Sequence, residues 1–293
     1  MKNNKWMIIC LCMVLVAAII TAVVLLTRPQ ETKEPAEEAT APETAETAAA
    51  PGAEATGDTL AAIRERGSLV IAMEGAWQPW TYHDEAGALT GFDVEIGALI
   101  AEGLGVKAEY KETAWDGILA GVDSGRFDIA CNGVGYTPKR AEAYTFSTPY
   151  LYTEMSLVVA EGNEEIKTLE DLKGKKTSNS PNSTYAMRAE EAGAEVVYVD
   201  TLGETMAMLE DGRVDATLNA TESVQSYLKE HPDAKIKIVL TVPGEAVAVP
   251  MKKGPETETL KAEIDRILEE ARENGKLAEL SIKYFGRDLT KAE

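Results

Sequence analysis

Cysteine, histidine and positive charge are all scarce in this chain of 293 residues. The three cysteines are Cys10 and Cys12, inside an N-terminal apolar run, and Cys131, in a short apolar stretch further on. That spacing excludes a disulfide framework. The two histidines, His83 and His231, stand without metal-ligand company, so neither a metal site nor a cofactor is expected. Lysine and arginine total 29 against 49 acidic residues, a formal net charge of -20. Phosphate backbones and anionic lipid surfaces need clustered cations, so nucleic acid is excluded as a partner. No nucleophile stands beside a general base at a recognisable spacing, and no enzymatic activity is expected.

What is present begins with Lys2 and Lys5, followed by an apolar run from Trp6 to Leu26 and then Arg28. About twenty apolar residues suffice to cross a bilayer as a helix, and the leading lysines form the positive region of an export signal. The run offers a poor cleavage site, and neither Cys10 nor Cys12 follows a small residue as a lipidated cysteine would. Residues 1–28 are therefore expected to be an uncleaved transmembrane signal anchor, with cleavage or lipidation as the alternatives. The rest of the chain then lies outside the cytoplasm. From Pro29 to Gly57 seven glutamates face only Lys33 and apolar periodicity disappears, which predicts a disordered acidic linker.

The globular part starts near Asp58. Leu60 and Ile63 predict a short helix before Gly67, and Ser68 to Met73 a strand. Val94, Ile96, Leu99, Ile100 and Leu104 recur with helical period up to Gly105. Asp128 to Cys131 reads as a short buried strand ending at Asn132 and Gly133. Thr137 is placed as a helix cap, with Pro138 at the first helical position and Arg140 in the first turn. A strand end, a Gly-x-Gly loop and a helix start thus meet at one rim, where open α/β sheets hold small ligands.

The chain also echoes itself. A strand at Ala108, a helix, and Gly125-Arg-Phe-Asp-Ile-Ala-Cys-Asn are matched by a strand at Glu195, a helix, and Gly212-Arg-Val-Asp-Ala-Thr-Leu-Asn. Each reads as a βαβ unit, and their separation predicts two similar lobes rather than a short-period solenoid. Met155–Ala160 and Ile238–Val249 are predicted as strands crossing between the lobes. Leu260, Ile264, Ile267, Leu268 and Ala271 then mark a helix, with Leu277, Leu280 and Phe285 closing the domain.

Gly91–Leu104, together with Thr137-Pro-Lys-Arg and Phe146-Ser-Thr-Pro-Tyr, resembles the family 3 extracellular solute-binding proteins, receptors of polar amino-acid ABC importers. The likeness runs over Gly67–Gly286. Asn132-Gly-Val-Gly, Ser183-Thr-Tyr185 and Arg213-Val-Asp-Ala-Thr look most like the cystine- and glutamine-type receptors. The resemblance implies an α/β, two-lobed periplasmic-binding-protein fold (type II) with two hinge strands. Its lobes would comprise residues 58–154 with 246–293, and residues 155–245. It also implies a monomer that works with an ABC permease and its cytoplasmic ATPase.

Carried onto this chain, the resemblance implies that Arg140 forks onto the ligand α-carboxylate, assisted by backbone N–H groups around Asn132, Gly133 and Gly135 and by the helix opened by Ser183 and Thr184. Trp77 and Trp115 match aromatics that sandwich the ligand, and Glu74 an acidic position facing its amine or side chain. The plainer readings are an Arg140 paired with Glu142 on a helix surface, tryptophans in the core, and a solvated Glu74. Trp80 and Cys131 are expected in the core. The chain departs from the family at Ala220, where many relatives carry an Asp for the α-ammonium. Glu222 or Glu74 is the expected substitute. Asn182 stands where many relatives have Gly. Two further functions are open: a ligand-binding sensory protein, and a cyclic amino-acid dehydratase on the same fold with Glu74 as its acid or base.

Overall fold

The computed structural model describes residues 57–292. The predicted anchor, Cys10, Cys12 and the acidic linker up to residue 56 lie outside the described residues. Among the described residues no helix is long and apolar enough to cross a membrane.

Helix α1 (Thr59–Arg66) is capped by the Asp58 side chain and ends at Gly67 in the left-handed conformation. Strand β1 (Ser68–Met73) follows, then a small hairpin of β2 (Tyr82–His83) and β3 (Leu89–Thr90). Helix α2 (Phe92–Leu104), β4 (Lys107–Glu112), α3 (Trp115–Asp123), β5 (Ile129–Ala130), α4 (Pro138–Ala143) and β6 (Tyr144–Phe146) come next. The middle of the chain forms β7 (Leu151–Ala160), β8 (Lys176–Asn179), α5 (Thr184–Glu191), β9 (Glu195–Tyr198), α6 (Leu202–Glu210), β10 (Ala216–Ala220), α7 (Thr221–Glu230) and β11 (Ile236–Val247). Strand β12 (Pro250–Lys252) and helices α8 (Glu258–Glu273) and α9 (Lys276–Phe285) complete it.

These strands make two five-stranded mixed sheets, ordered β4-β1-β5-β12-β6 and β11-β7-β10-β8-β9. Both faces of each sheet are buried. In β1, Leu69, Ile71 and Met73 enter one core with Ile96, Ile100, Ile264 and Leu268, while Ala72 enters another with Ile118 and Val122. In the second sheet, Met155, Leu157 and Val159 pack with Ala216 and Leu218, and Val158 packs with Met206, Leu209 and Val224 on the other side. Parallel strands covered on both faces require such apolar runs.

The internal echo has a structural counterpart. β4 and β5 flank β1 in the first sheet, and β9 and β10 flank β8 in the second. The aspartate of each Gly-Arg-x-Asp accepts a backbone N–H of the central strand: Asp128 from Val70 and Asp215 from Lys176, both at 2.7 Å. Gly125 and Gly212, at φ 72° and 67°, turn the chain out of α3 and α6. The repeated motif therefore ends a helix and pins the next strand to its neighbour.

The chain passes from β6 to β7 and returns from β11 to β12, so two segments run between the sheets. β7 and β11 pair antiparallel from Leu151 with Val247 to Ala160 with Ile236. The strands predicted from Met155 and up to Val249 thus begin earlier and end earlier than the apolar pattern suggests. β11 stops at Val247 because Ala248 N turns to the Val134 carbonyl, 3.1 Å away beside the first sheet. β5 is shorter than the predicted Asp128–Cys131, although the Asp128 and Cys131 amides still donate to the Val70 and Ala72 carbonyls of β1, at 3.0 Å each.

Candidate ligand-binding site

Asn132, at the end of β5, is fully buried and ties three segments together. Its Oδ1 accepts from the Glu74 amide at 2.9 Å and from the Thr81 hydroxyl at 3.1 Å, and its Nδ2 donates to Glu74 Oε2 at 2.7 Å. That amide stabilises the Glu74 carboxylate, but burial is the larger effect and pushes its pKa up to about 7. Gly133 follows at φ 55°, and a Cβ there would lie 2.7 Å from the Trp77 ring. Only glycine allows both the backbone conformation and the tryptophan. The Gly133 amide donates to Asp93, a buried carboxylate in the first turn of α2 that also accepts from Tyr150 Oη at 2.8 Å. Burial raises the Asp93 pKa to about 7, against the lowering by these two bonds.

Arg140 is positioned by its own helix start. Thr137 Oγ1 accepts the Arg140 amide at 3.1 Å, and Pro138 opens α4. Arg140 is 8% exposed, and its guanidinium stands 5.4 Å from the Trp115 ring centroid and donates to the Gly135 carbonyl at 2.9 Å and the Asn182 carbonyl at 3.0 Å. Among the described residues it makes no salt bridge, with Glu142 or any other carboxylate; burial lowers its pKa. Of the five N–H bonds of a guanidinium, three remain for a further acceptor. Asn182 has φ 59°, a left-handed conformation that asparagine tolerates and that glycine at this position would adopt freely. Ser183 then caps α5, its Oγ accepting from Ala186 N at 3.1 Å.

A cleft of about 710 Å³, part of it open to solvent, runs between residues of the two sheets. Glu74, Trp77, Trp115, Asn132, Gly133, Gly135 and Arg140 line it from the first sheet's side, and Ser183, Thr184 and Tyr185 from the second's. Trp77 is half-buried, lines the cleft and stacks on Trp80 at 5.2 Å and 13°. Trp80 is fully buried and donates to Ser223 Oγ at 3.1 Å, as a core tryptophan should.

Glu222 is the exception among the predicted residues. It is not a wall of the cleft: it is buried at the start of α7, with Oε1 accepting from Arg287 at 2.7 Å. Arg287 also pairs with Glu154. A carboxylate two residues after Ala220 points elsewhere because the first turn of a helix has rotated it away. The cleft also contains residues that the sequence did not single out, including Asn179, Asp200, Thr201, Asn219 and Glu245. Asn219 had a signal, as the closing residue of the repeated motif. Thr201 had one too, since with Glu204 it forms a capping box. Asp93 supports the Gly133 loop, and the sequence shows it only as one of three acidic residues in α2, with Glu95 and Glu102.

The fold and the cleft define a class, and the sequence agrees: residues 69–287 match the bacterial extracellular solute-binding proteins, family 3. The chain belongs to this family. A Haemophilus influenzae relative named as a probable amino-acid ABC transporter-binding protein is 36% identical over 80% of this chain and 91% of its own. An ancestral arginine-binding protein bound to arginine is 36% identical, with a TM-score of 0.71, over 75% of this chain and 99% of that one. The L-cystine solute receptor of Neisseria gonorrhoeae, in its unliganded open conformation, is 37% identical with a TM-score of 0.55, over 80% of this chain and 100% of that one.

Proposed function

We propose that this chain is the extracytoplasmic receptor of an ABC importer. It captures a polar amino acid, of the cystine or glutamine type, by closing two lobes about two hinge strands. In this reading residues 58–154 and 246–293 form one lobe and residues 155–245 the other, and the hinges are the two segments that run between the sheets, through β7 and β11. The N-terminal apolar run holds the receptor on the outer face of the membrane as a monomer, within reach of the permease.

The observation that carries the reading is Arg140. A guanidinium buried in a cleft, bonded to two carbonyls and, among the described residues, to no carboxylate, has both charge and N–H groups to give to an incoming α-carboxylate. The N–H groups at the start of α5 and the loop around Gly133 add donors for the same anion. Trp77 and Trp115 offer aromatic faces to the ligand's aliphatic part, and Glu74 an acceptor for a positive group. The bond from Arg140 to Asn182 crosses the cleft and draws the lobes together. Consistent with a closed form, the likeness is greater to the arginine-bound relative than to the open cystine receptor, at similar identity.

Glu74, with a pKa near neutrality, has the property a general acid needs. Among the described residues its side chain bonds to one polar side chain, an amide, and a dehydratase would need a second proton-handling group beside it. Binding is the better account. A thermal-shift screen of the twenty amino acids and cystine tests it, since a ligand at a hundredfold excess over its Kd adds about 2.7 kcal/mol. A rise in Tm with one or a few polar amino acids is the expected result. No shift with any of them contradicts the reading.

A further inference from the structure

The resemblance places the acceptor for the ligand's α-ammonium on the second sheet's side of the cleft; Glu74 lines the first sheet's side, where its Oε2 already accepts from Asn132, and the two candidate positions on the second side do not supply one. Ala220 carries only a buried methyl within an apolar cluster. Glu222 is turned away to Arg287. We propose that Asn179 supplies this acceptor through its side-chain carbonyl, so that a neutral amide does the work of the missing carboxylate. The proposal rests on the receptor reading above.

Asn179 ends β8, where the strand opens onto the cleft, and it is 2% exposed. Its Nδ2 donates to the Leu218 carbonyl at 2.7 Å, which fixes the amide plane and decides which atom is left over. The atom left over is Oδ1, an acceptor only, buried and without a donor among the described residues. A buried acceptor without a partner is unfavourable, and an ammonium entering the cleft relieves it with a charge-assisted bond. The two other orphaned hydroxyl oxygens of β8, on Thr177 and Ser178, belong to residues that do not line the cleft. Asn219, the neighbouring asparagine that does, has already committed its Oδ1 to Ala220 N at 2.9 Å. Thr177 pairs with Ala216 in the parallel ladder and the Asn179 amide bonds the Leu218 carbonyl, two residues before Ala220, so Asn179 lies at the same end of the sheet as the position it replaces.

The test compares amine-bearing ligands with their deaminated forms by calorimetry on the full-length protein. The probes are L-glutamine with glutaramic acid, L-arginine with 5-guanidinopentanoic acid, and L-cystine with 3,3′-dithiodipropionic acid. The wild type should prefer the amine. In Asn179→Ala the Kd of the amine-bearing ligand should rise about tenfold or more, while that of the deaminated form stays unchanged. The unchanged second value also shows that the variant has kept its cleft. Asn179→Asp, which restores a carboxylate, should widen the preference. Equal weakening of both forms in Asn179→Ala, or no change in either, overturns the assignment while leaving the receptor reading intact. Absence of binding by any of the twenty amino acids or cystine to the wild type overturns the reading and the assignment together.

Discussion

The Arg140 guanidinium and the Asn182 carbonyl, 3.0 Å apart, join the helix that follows β5 to the residue just before α5. One partner belongs with the first sheet and the other with the second, so the bond spans the cleft. It can form only because Asn182 holds its backbone at φ 59° and presents the carbonyl inward. Glycine at position 182 should therefore be neutral and a β-branched residue should not. Asn182→Gly is expected to keep stability within a few tenths of a kcal/mol, whereas Asn182→Val should lose about 1–2 kcal/mol. Urea-unfolding midpoints of the two variants check this.

Gly133 faces a second geometric limit, the Trp77 ring 2.7 Å from where its Cβ would be. Gly133→Ala must displace the tryptophan or the loop, and the left-handed backbone adds about 1 kcal/mol. The expected outcome is a shifted tryptophan emission in the free protein together with weaker amino-acid binding. Emission spectra before and during ligand titration report both.

Arg287 and Glu222 should matter for stability and not for binding. Removing the guanidinium in Arg287→Ala leaves a carboxylate buried without its cation. The cost should be about 1–3 kcal/mol, less than for a fully buried pair because Arg287 is partly exposed and screened by solvent. Glu222→Gln should leave ligand affinity as in the wild type. Calorimetric affinities and denaturation midpoints of both variants separate the two roles.

Asp93 gives the fold an unusual pH dependence. Its pKa rises from 3.8 to about 7 on burial, so the folded protein holds a proton that the unfolded chain releases near 4. The stabilisation is complete below the unfolded value and is lost as pH rises through about 7. A displacement of this size corresponds to a few kcal/mol. Glu74, raised from 4.5 to about 7, acts in the same direction. Unfolding free energy should accordingly fall between about pH 4 and pH 7, and Asp93→Asn should flatten that fall. Denaturant titrations across this range measure it.

Much of this arrangement could be read from local chemistry. The Thr137-Pro-Lys-Arg start, the Ser183 cap and the glycine ends of α1 and α2 are hydrogen-bond problems settled within a few residues. The repeat around Gly125 and Gly212 was legible because both copies solve the same problem, ending a helix and tying an aspartate to the adjacent strand. What the sequence hid depends on distant segments. Asn179 and Asp200 reach the cleft only because β8 and β9 are neighbours in the second sheet. Glu222 misses it because Arg287, sixty-five residues on, claims the carboxylate. Asp93 supports the Gly133 loop from forty residues away, with no pattern near Gly133 to announce it. Where β11 ends was equally unreadable, since apolarity continues while the hydrogen-bond partner changes sheet.

The central claim is that Arg140 holds the carboxylate of an amino acid. Isothermal titration of the amino acid that raises Tm, on the wild type and on Arg140→Ala, tests it most directly. The account predicts a loss of about 2–5 kcal/mol in binding free energy, because a desolvated carboxylate is left without its partner. Wild-type affinity in the variant would contradict it.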